Sequence, residues 1–291
     1  MAKSDKTLTQ QNLRAVVVIH AALVILSLAF LVPLVWMIST SLKEASEARA
    51  FPPTWIPKEF LWGNYSEAFN YNKENLGYAP FAVYGRNSLI LCLLTVVGTV
   101  VSNAVVAYSF ARLKWPGRDV AFALTLATMM VPFPVLMVPL FGLFKELGWV
   151  GTLRPLWVPA WFGAAFNIFL LRQFYRTIPN ELSEAARIDG CSEWGIFSRV
   201  ILPLAKPALA VVALFSFMGT WNDFLGPLLY LQRQESFTLA VGLQSYSSQA
   251  GGTPLHLLMA ASTMVVAPVI ILFFFTQKQF IQGIAATGLK G

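Results

Sequence analysis

The chain has 291 residues, 56% of them hydrophobic and only 12% charged, with a formal net charge of +7. Soluble domains carry about 25% charged residues, so this composition excludes an ordinary water-soluble fold and leaves lipid to cover much of the surface. The basic residues sit in short segments between apolar runs rather than on one polar domain, which excludes a nucleic-acid binder and reads as membrane orientation.

A helix that crosses a bilayer needs roughly 20 mostly apolar residues, because each adds about 1.5 Å against a hydrocarbon core of about 30 Å. Six stretches meet that test: 15–39, 87–111, 120–144, 155–175, 208–231 and 257–277. The first follows Lys3, Lys6 and Arg14. It is too long for the apolar region of a signal peptide and no small-residue cleavage site follows it, so it reads as a retained span. The expected fold is an all-α integral membrane protein with six transmembrane helices. Residues 15–277 form one membrane domain between tails at 1–14 and 278–291.

The loop after the first stretch carries Phe51-Pro-Pro-Thr and the tyrosines Tyr65, Tyr71, Tyr78 and Tyr84. Prolines set turns, and aromatic rings suit either an interfacial cap or a partner surface. Cys92 lies in the second apolar stretch and Cys191 in a polar loop; neither a disulfide nor a metal site is expected from that spacing. His20 and His256 read as polar residues near the ends of apolar runs. The third stretch contains Pro132, Pro134 and Pro139. Each removes a backbone donor and bends a helix, giving either a static kink or a gate. Asn167 in the fourth stretch reads as an interhelical hydrogen bond before a substrate ligand.

The loop 178–207 is polar and has a helix–turn–helix pattern. Pro179-Asn180 starts a helix with Glu181 and Glu184 near its dipole, and Gly190 ends it with a left-handed residue. Ser192 caps a second helix, which ends near Pro203 and Pro207. Trp194, Phe197 and Ile201 give that helix an apolar stripe. The stripe suits headgroups or the underside of the bundle as well as it suits a groove on a separate subunit.

The fifth stretch contains Trp221-Asn222-Asp223-Phe224. Asp223 is expected about 22 Å along its helix at about 1.5 Å per residue, where a lone charge must face a cavity or a partner. It serves as a hydrogen-bonded clamp or as a polar contact on the substrate path or gate. Trp221 suits either sugar stacking or an aromatic belt. Lys and Arg counts set the orientation. With six spans, 13 of the 21 fall on the side of both termini and of loop 178–207, which makes that side cytoplasmic.

Glu184-Ala185-Ala186, then Asp189-Gly190 and, after nine intervening residues, Val200-Ile201-Leu202-Pro203 resemble the EAA loop of permease subunits of bacterial ABC importers. The family prefers Ile where Val200 stands; Phe197 matches it. Phe51-Pro-Pro-Thr, Asn64-Tyr65, Trp221-Asn222-Asp223-Phe224 and Thr238–Gly242 resemble the carbohydrate-uptake branch. The ending Phe280–Gly283 and Gly288–Gly291 is similar to the maltose-type subunit with the shorter first outer loop. The resemblance implies a cytoplasmic coupling helix between spans four and five that docks on an ATP-binding subunit. Glu184, Ala185, Ala186, Asp189, Gly190, Trp194, Phe197, Ile201 and Pro203 would form it. Asn222, Asp223, Trp221, Pro132, Pro134 and Asn167 are the candidates for the substrate path or gate. Lys290 and Gly291 would reach the interface between two ATPase subunits, and loop 232–256 an extracytoplasmic solute-binding protein.

The implied assembly adds a second homologous permease, favouring a heterodimer, and two ATP-binding subunits, in the bacterial plasma (inner) membrane. This chain has no GxxxxGK[ST] phosphate-binding loop, so it is not expected to be an enzyme: it has no catalytic residue and no cofactor of its own, and ATP and Mg belong to the partner subunits. The competing class is a stand-alone secondary carrier or channel for a small polar solute, which needs ionisable groups in its spans.

Overall fold

The computed structural model describes the backbone of residues 2–247 and 253–288 and the side chains of 15–247 and 253–277. Among these residues every regular element is helical. The principal helices are α1 (Ala2–Ser41), α2 (Gly63–Phe69), α3 (Pro80–Arg112), α4 (Arg118–Ala127), α5 (Phe133–Glu146), α6 (Ala165–Thr177), α7 (Asn180–Ile188), α8 (Glu193–Ile196), α9 (Lys206–Trp221), α10 (Leu225–Tyr230) and α11 (Leu255–Gly288). The tail positions Lys290 and Gly291 lie outside the described residues, as do 248–252 of the loop 232–256.

The chain divides into two compact bodies, residues 1–69 with 246–265 and residues 70–245 with 266–291. In the first, α1 is apolar from Ala15 to Ser41, with mean hydropathy 2.8, and its most apolar stretch buries nothing. A helix that is apolar all round and unburied belongs in lipid or against another helix. The following loop is tied by side chains to the end of α1. Ser39 Oγ donates to the Trp55 carbonyl (2.5 Å), and the buried Lys43 donates to the Thr54 carbonyl while its ammonium lies 4.3 Å from the Trp36 ring. Thr54 Oγ1 donates to Glu47 (2.8 Å), and Asn64 donates to the carbonyls of Ser41 (2.9 Å) and Lys43 (2.8 Å). The Phe51-Pro-Pro-Thr and Asn64-Tyr65 motifs therefore fasten this cap.

The second body is built on α3, which packs along α6 and α9. Its core gathers Ala104, Ala107 and Tyr108 of α3, Ile168, Leu171 and Tyr175 of α6, and Ile196, Phe197 and Ile201 from the segment after α7. Thr238–Gly242 packs on α3 too: Asn87 donates to the Glu235 carbonyl (2.8 Å), and the Leu239 N–H donates to Ser88 Oγ (2.9 Å).

Among the described residues, three helices are individually long and apolar enough to cross a bilayer: Ala15–Ser41, Pro80–Arg112 and Leu255–Gln277. Arg118–Met130 with Phe133–Glu146, and Glu193–Leu204 with Lys206–Trp221, qualify only as pairs, bent by 99° and 78°. The first bend falls where the prolines require it. Pro132 is the cap residue before α5, Pro134 lies in its first turn, and Pro139 lies inside it.

The stretch 155–175, expected as one span, is broken. A four-residue turn, Arg154–Trp157, leads into a 3-10 segment, Val158–Phe162, and α6 starts only at Ala165. Pro155 and Pro159 have no N–H to donate, and Gly163 adopts φ +91° and ψ 155°, a region open to glycine alone. With 13 residues α6 spans about 20 Å, short of the hydrocarbon core.

Candidate functional site

The segment 178–207 folds as the helical hairpin its sequence requires. α7 ends in a full left-handed cap: Gly190 has φ +81°, its N–H donates to the Arg187 carbonyl (3.1 Å), and the Cys191 N–H reaches back to the Ala186 carbonyl (2.9 Å). A residue with a Cβ would be strained at this φ, although a Cβ there meets nothing within 4 Å. Ser192 then caps α8, its Oγ accepting from the Gly195 N–H at 3.2 Å. Phe197–Ile201 continues as a π-helical turn, an insertion that the sequence pattern does not announce.

The stripe on this second arm divides in two. Phe197 and Ile201, with Ile196 beside them, are 4%, 0% and 0% exposed and pack within the chain's own core, Phe197 lying 5.0 Å from the Tyr108 ring. They are not free to touch another subunit; they fix the hairpin to α3 and α6. Trp194 is 65% exposed, and Ile188, which the sequence reading passed over, is 87% exposed. Glu184, Ala185, Asp189 and Gly190 are exposed, Ala186 is half-buried, and Pro203 is exposed. One face of the hairpin is thus built into the bundle, while two large apolar side chains, Ile188 and Trp194, stay exposed, and the Glu184 carboxylate is exposed as well.

Polar contacts lock the hairpin to the helix ends. Glu193 accepts from Arg187 Nη2 (2.6 Å) and Nε (3.0 Å), and its other oxygen accepts from Tyr108 OH (2.9 Å). The Arg187 guanidinium holds the Glu193 carboxyl below the usual glutamate range against the opposing effect of burial, and the Tyr108 hydroxyl adds to that lowering. Arg112, at the end of α3, donates to the carbonyls of Tyr175 (2.6 Å) and Ile178 (2.5 Å) and to Asn180 Oδ1 (2.5 Å). It satisfies the carbonyls left open where α6 ends.

A second polar node holds the break before α6. Asn103, fully buried in α3, accepts from the Ala164 N–H (2.8 Å) and donates to the Thr99 carbonyl (2.6 Å); Ser102 donates to the Ala160 carbonyl (3.1 Å). Broken backbone at membrane depth needs such partners. Sequence reasoning passed over Asn103; Asn167, read as an interhelical hydrogen bond before a substrate ligand, is half-buried on α6. A signal was present, since Ser102-Asn103 is a polar pair in the middle of the second apolar stretch.

The residues expected on a substrate path are dispersed. Asp223 does not lie inside a continuous helix: α9 stops at Trp221, and the carboxylate accepts from the Gly226 N–H (3.0 Å), closing the turn into α10. The cause is local, because short polar side chains compete with the backbone for helix hydrogen bonds. Asn222 donates to the Met218 carbonyl (2.8 Å) at the exposed helix end. Trp221 is buried and stacks on Phe217 at 5.4 Å, leaving no face for a sugar. Pro132 and Pro134 are exposed at the 99° bend.

The family model described as "binding-protein-dependent transport system inner membrane component" matches residues 103–286, from Asn103 through the hairpin and into α11. The chain belongs to this family. The permease is 36% identical over 272 residues to the arabinooligosaccharides transport system permease protein AraQ of Bacillus subtilis, a match that covers 91% of this chain and 92% of the relative. It is 31% identical over 280 residues to the diacetylchitobiose uptake system permease protein NgcG of Streptomyces coelicolor, covering 95% and 90%. Its fold matches a solved bacterial ABC transporter involved in the import of the acidic polysaccharide alginate, with a TM-score of 0.79 at 24% identity over 91% of this chain and 96% of that one. The protein is thus a multi-pass membrane permease of the ABC-importer type, a transport subunit rather than a catalytic one.

Proposed function

We propose that this permease carries a sugar or oligosaccharide across the bacterial inner membrane, with the hairpin 178–207 as the lever that ties its motion to ATP hydrolysis on separate subunits. The substrate class rests on the names of its relatives, which transport arabinooligosaccharides, diacetylchitobiose and galactooligosaccharides. The observation that carries the mechanism is the two-sided hairpin: Ile196, Phe197 and Ile201 sit in the bundle core, while Glu184, Ile188 and Trp194 are exposed. In this reading an ATP-driven motion of a docked subunit pulls the outward face. The buried face passes that motion to α3, α6 and α9 as rigid bodies, because a packed core is bistable rather than soft.

The rest of the reading follows from it. The chain crosses six times, with the bent pair Arg118–Met130 and Phe133–Glu146 and the broken stretch 155–177 counted as crossings, and both termini are cytoplasmic. Its partners are a second permease in a heterodimer, two ATP-binding subunits that hold ATP and Mg, and an extracytoplasmic solute-binding protein facing loop 232–256. Lys290 and Gly291 would contact the ATPase pair. Glu184 would pair with a basic residue of the ATPase subunit. Asn222 and the bend at Pro132 and Pro134 remain the candidates for the path or gate, with Asp223 and Trp221 assigned to shaping the end of α9.

The test is charge reversal. Glu184→Lys is expected to abolish sugar uptake by the assembled transporter and to lose the co-purifying ATPase, while the chain still inserts. Normal uptake and normal ATPase stimulation in that variant would refute the docking role.

A further inference from the structure

Between the end of α3, the loop to α4 and the first arm of the hairpin lies a cleft of about 660 Å³. Four cations line it, Arg112, Lys114, Arg118 and Arg187, against two carboxylates, Glu184 and Glu193. Arg187 and Glu193 neutralise each other at 2.6 Å. Arg112 spends its terminal nitrogens on neutral acceptors, so its charge stays uncompensated, and its buried Nε has no hydrogen-bond partner among the described residues. Ser183 lines the same cleft, is only 7% exposed, and its buried Oγ likewise has no partner. Two polar groups that lack a partner among the described residues, in a cleft with unpaired positive charge, suit an oxygen anion as their acceptor.

The surroundings decide which anion. Arg118 and Lys114 also line an adjoining hollow of about 350 Å³ shared with Trp115 and Val120. Val120 is two-thirds exposed and, with Leu124, opens the apolar outer face of α4. The cleft is therefore continuous with a surface that lies in lipid, and it carries the cations and the indole typical of a headgroup boundary. Asp119 holds Arg118 at 3.0 Å, which leaves Arg112 and Lys114 as the cleft's unpaired cations against one unpaired carboxylate, Glu184, among the described residues.

We propose that this cleft binds the phosphate of an anionic phospholipid headgroup, with Arg112, Lys114 and Ser183 on the phosphate oxygens and the acyl chains along α4. Because Arg112 also anchors the carbonyls of Tyr175 and Ile178 and the side chain of Asn180, a bound headgroup would brace the hairpin at its root. The proposal concerns the permease alone and does not depend on which face of the membrane is cytoplasmic, so its outcome is separate from that of the uptake experiment.

The experiment places the full chain in nanodiscs of equimolar phosphatidylcholine and phosphatidylglycerol and counts retained lipids by native mass spectrometry after gentle release. The wild type is expected to retain phosphatidylglycerol preferentially. Lys114→Gln should lower that preference about fivefold, the factor that corresponds to about 1 kcal/mol per surface cation. Ser183→Ala should lower it as well, and Arg199→Gln, outside the cleft, should leave it unchanged. Equal retention by wild type, Lys114→Gln and Ser183→Ala, all eluting as folded protein, would overturn the site. Displacement of the retained lipid by inorganic phosphate, with equal binding of phosphate in discs of phosphatidylcholine alone, would overturn the lipid assignment in favour of a soluble anion.

Discussion

At position 190 the backbone stands at φ +81°, where an ordinary residue costs about 1–2 kcal/mol. Open space surrounds the missing Cβ, so the penalty there is conformational and not steric. Gly190→Asn, which tolerates this region, should leave the hairpin intact. Gly190→Val should loosen it, read as faster amide exchange across Asn180–Ile188 in hydrogen–deuterium exchange. Glu193 gives a second handle. Its folded-state carboxyl titrates below the ordinary glutamate range because Arg187 donates to it, so its contribution is fully present above that range. It is lost as pH falls through the lowered value. The pair is about half exposed, so screening keeps the effect small. Exchange in the hairpin should rise as pH falls through that window, after correction for intrinsic exchange rates, and Arg187→Gln should abolish the pH-dependent component. A flat profile in the wild type would contradict the assignment.

At the level of elements, the second arm of the hairpin separates two duties that its sequence runs together. Ile196 is wholly buried, and cutting it to alanine should cost about 2–5 kcal/mol, seen as a lower unfolding temperature in detergent. Trp194 is mostly exposed, and Trp194→Ala should leave that temperature nearly unchanged while weakening retention of the ATPase subunit during purification. If both substitutions destabilised the chain alike, the division between an inward and an outward face would be wrong. The broken stretch before α6 follows the same logic, since its prolines and glycine interrupt the helix and Asn103 supplies the acceptor the break leaves wanting.

For the molecule as a whole, the functional consequence is dependence on partners. The structured hairpin has one face committed to the bundle while Ile188 and Trp194 stay mostly exposed, which suits a subunit that is moved from outside. Reconstituted alone in vesicles, the permease should show no concentrative sugar uptake, and transport should return only with its partner subunits and ATP. Uptake by the isolated chain would favour the stand-alone carrier that the sequence left as its alternative.

The amino-acid order was enough to place this protein in a membrane, because a chain with so few charges has no other way to cover its surface. It was also enough to mark the loop 178–207, where Gly190 and Ser192 stop and start helices by rules that act within a few residues. Those signals are local, and local chemistry survives any fold. Tertiary structure alone decided that Phe197 and Ile201 turn inward while Trp194 and Ile188 turn out. It also brought Asn103 of α3 against the Ala164 N–H, where the locally broken fourth stretch needs an acceptor. Each of those outcomes depends on which helix lies alongside, and an apolar sequence fits lipid, a neighbouring helix or its own core equally well until packing chooses among them.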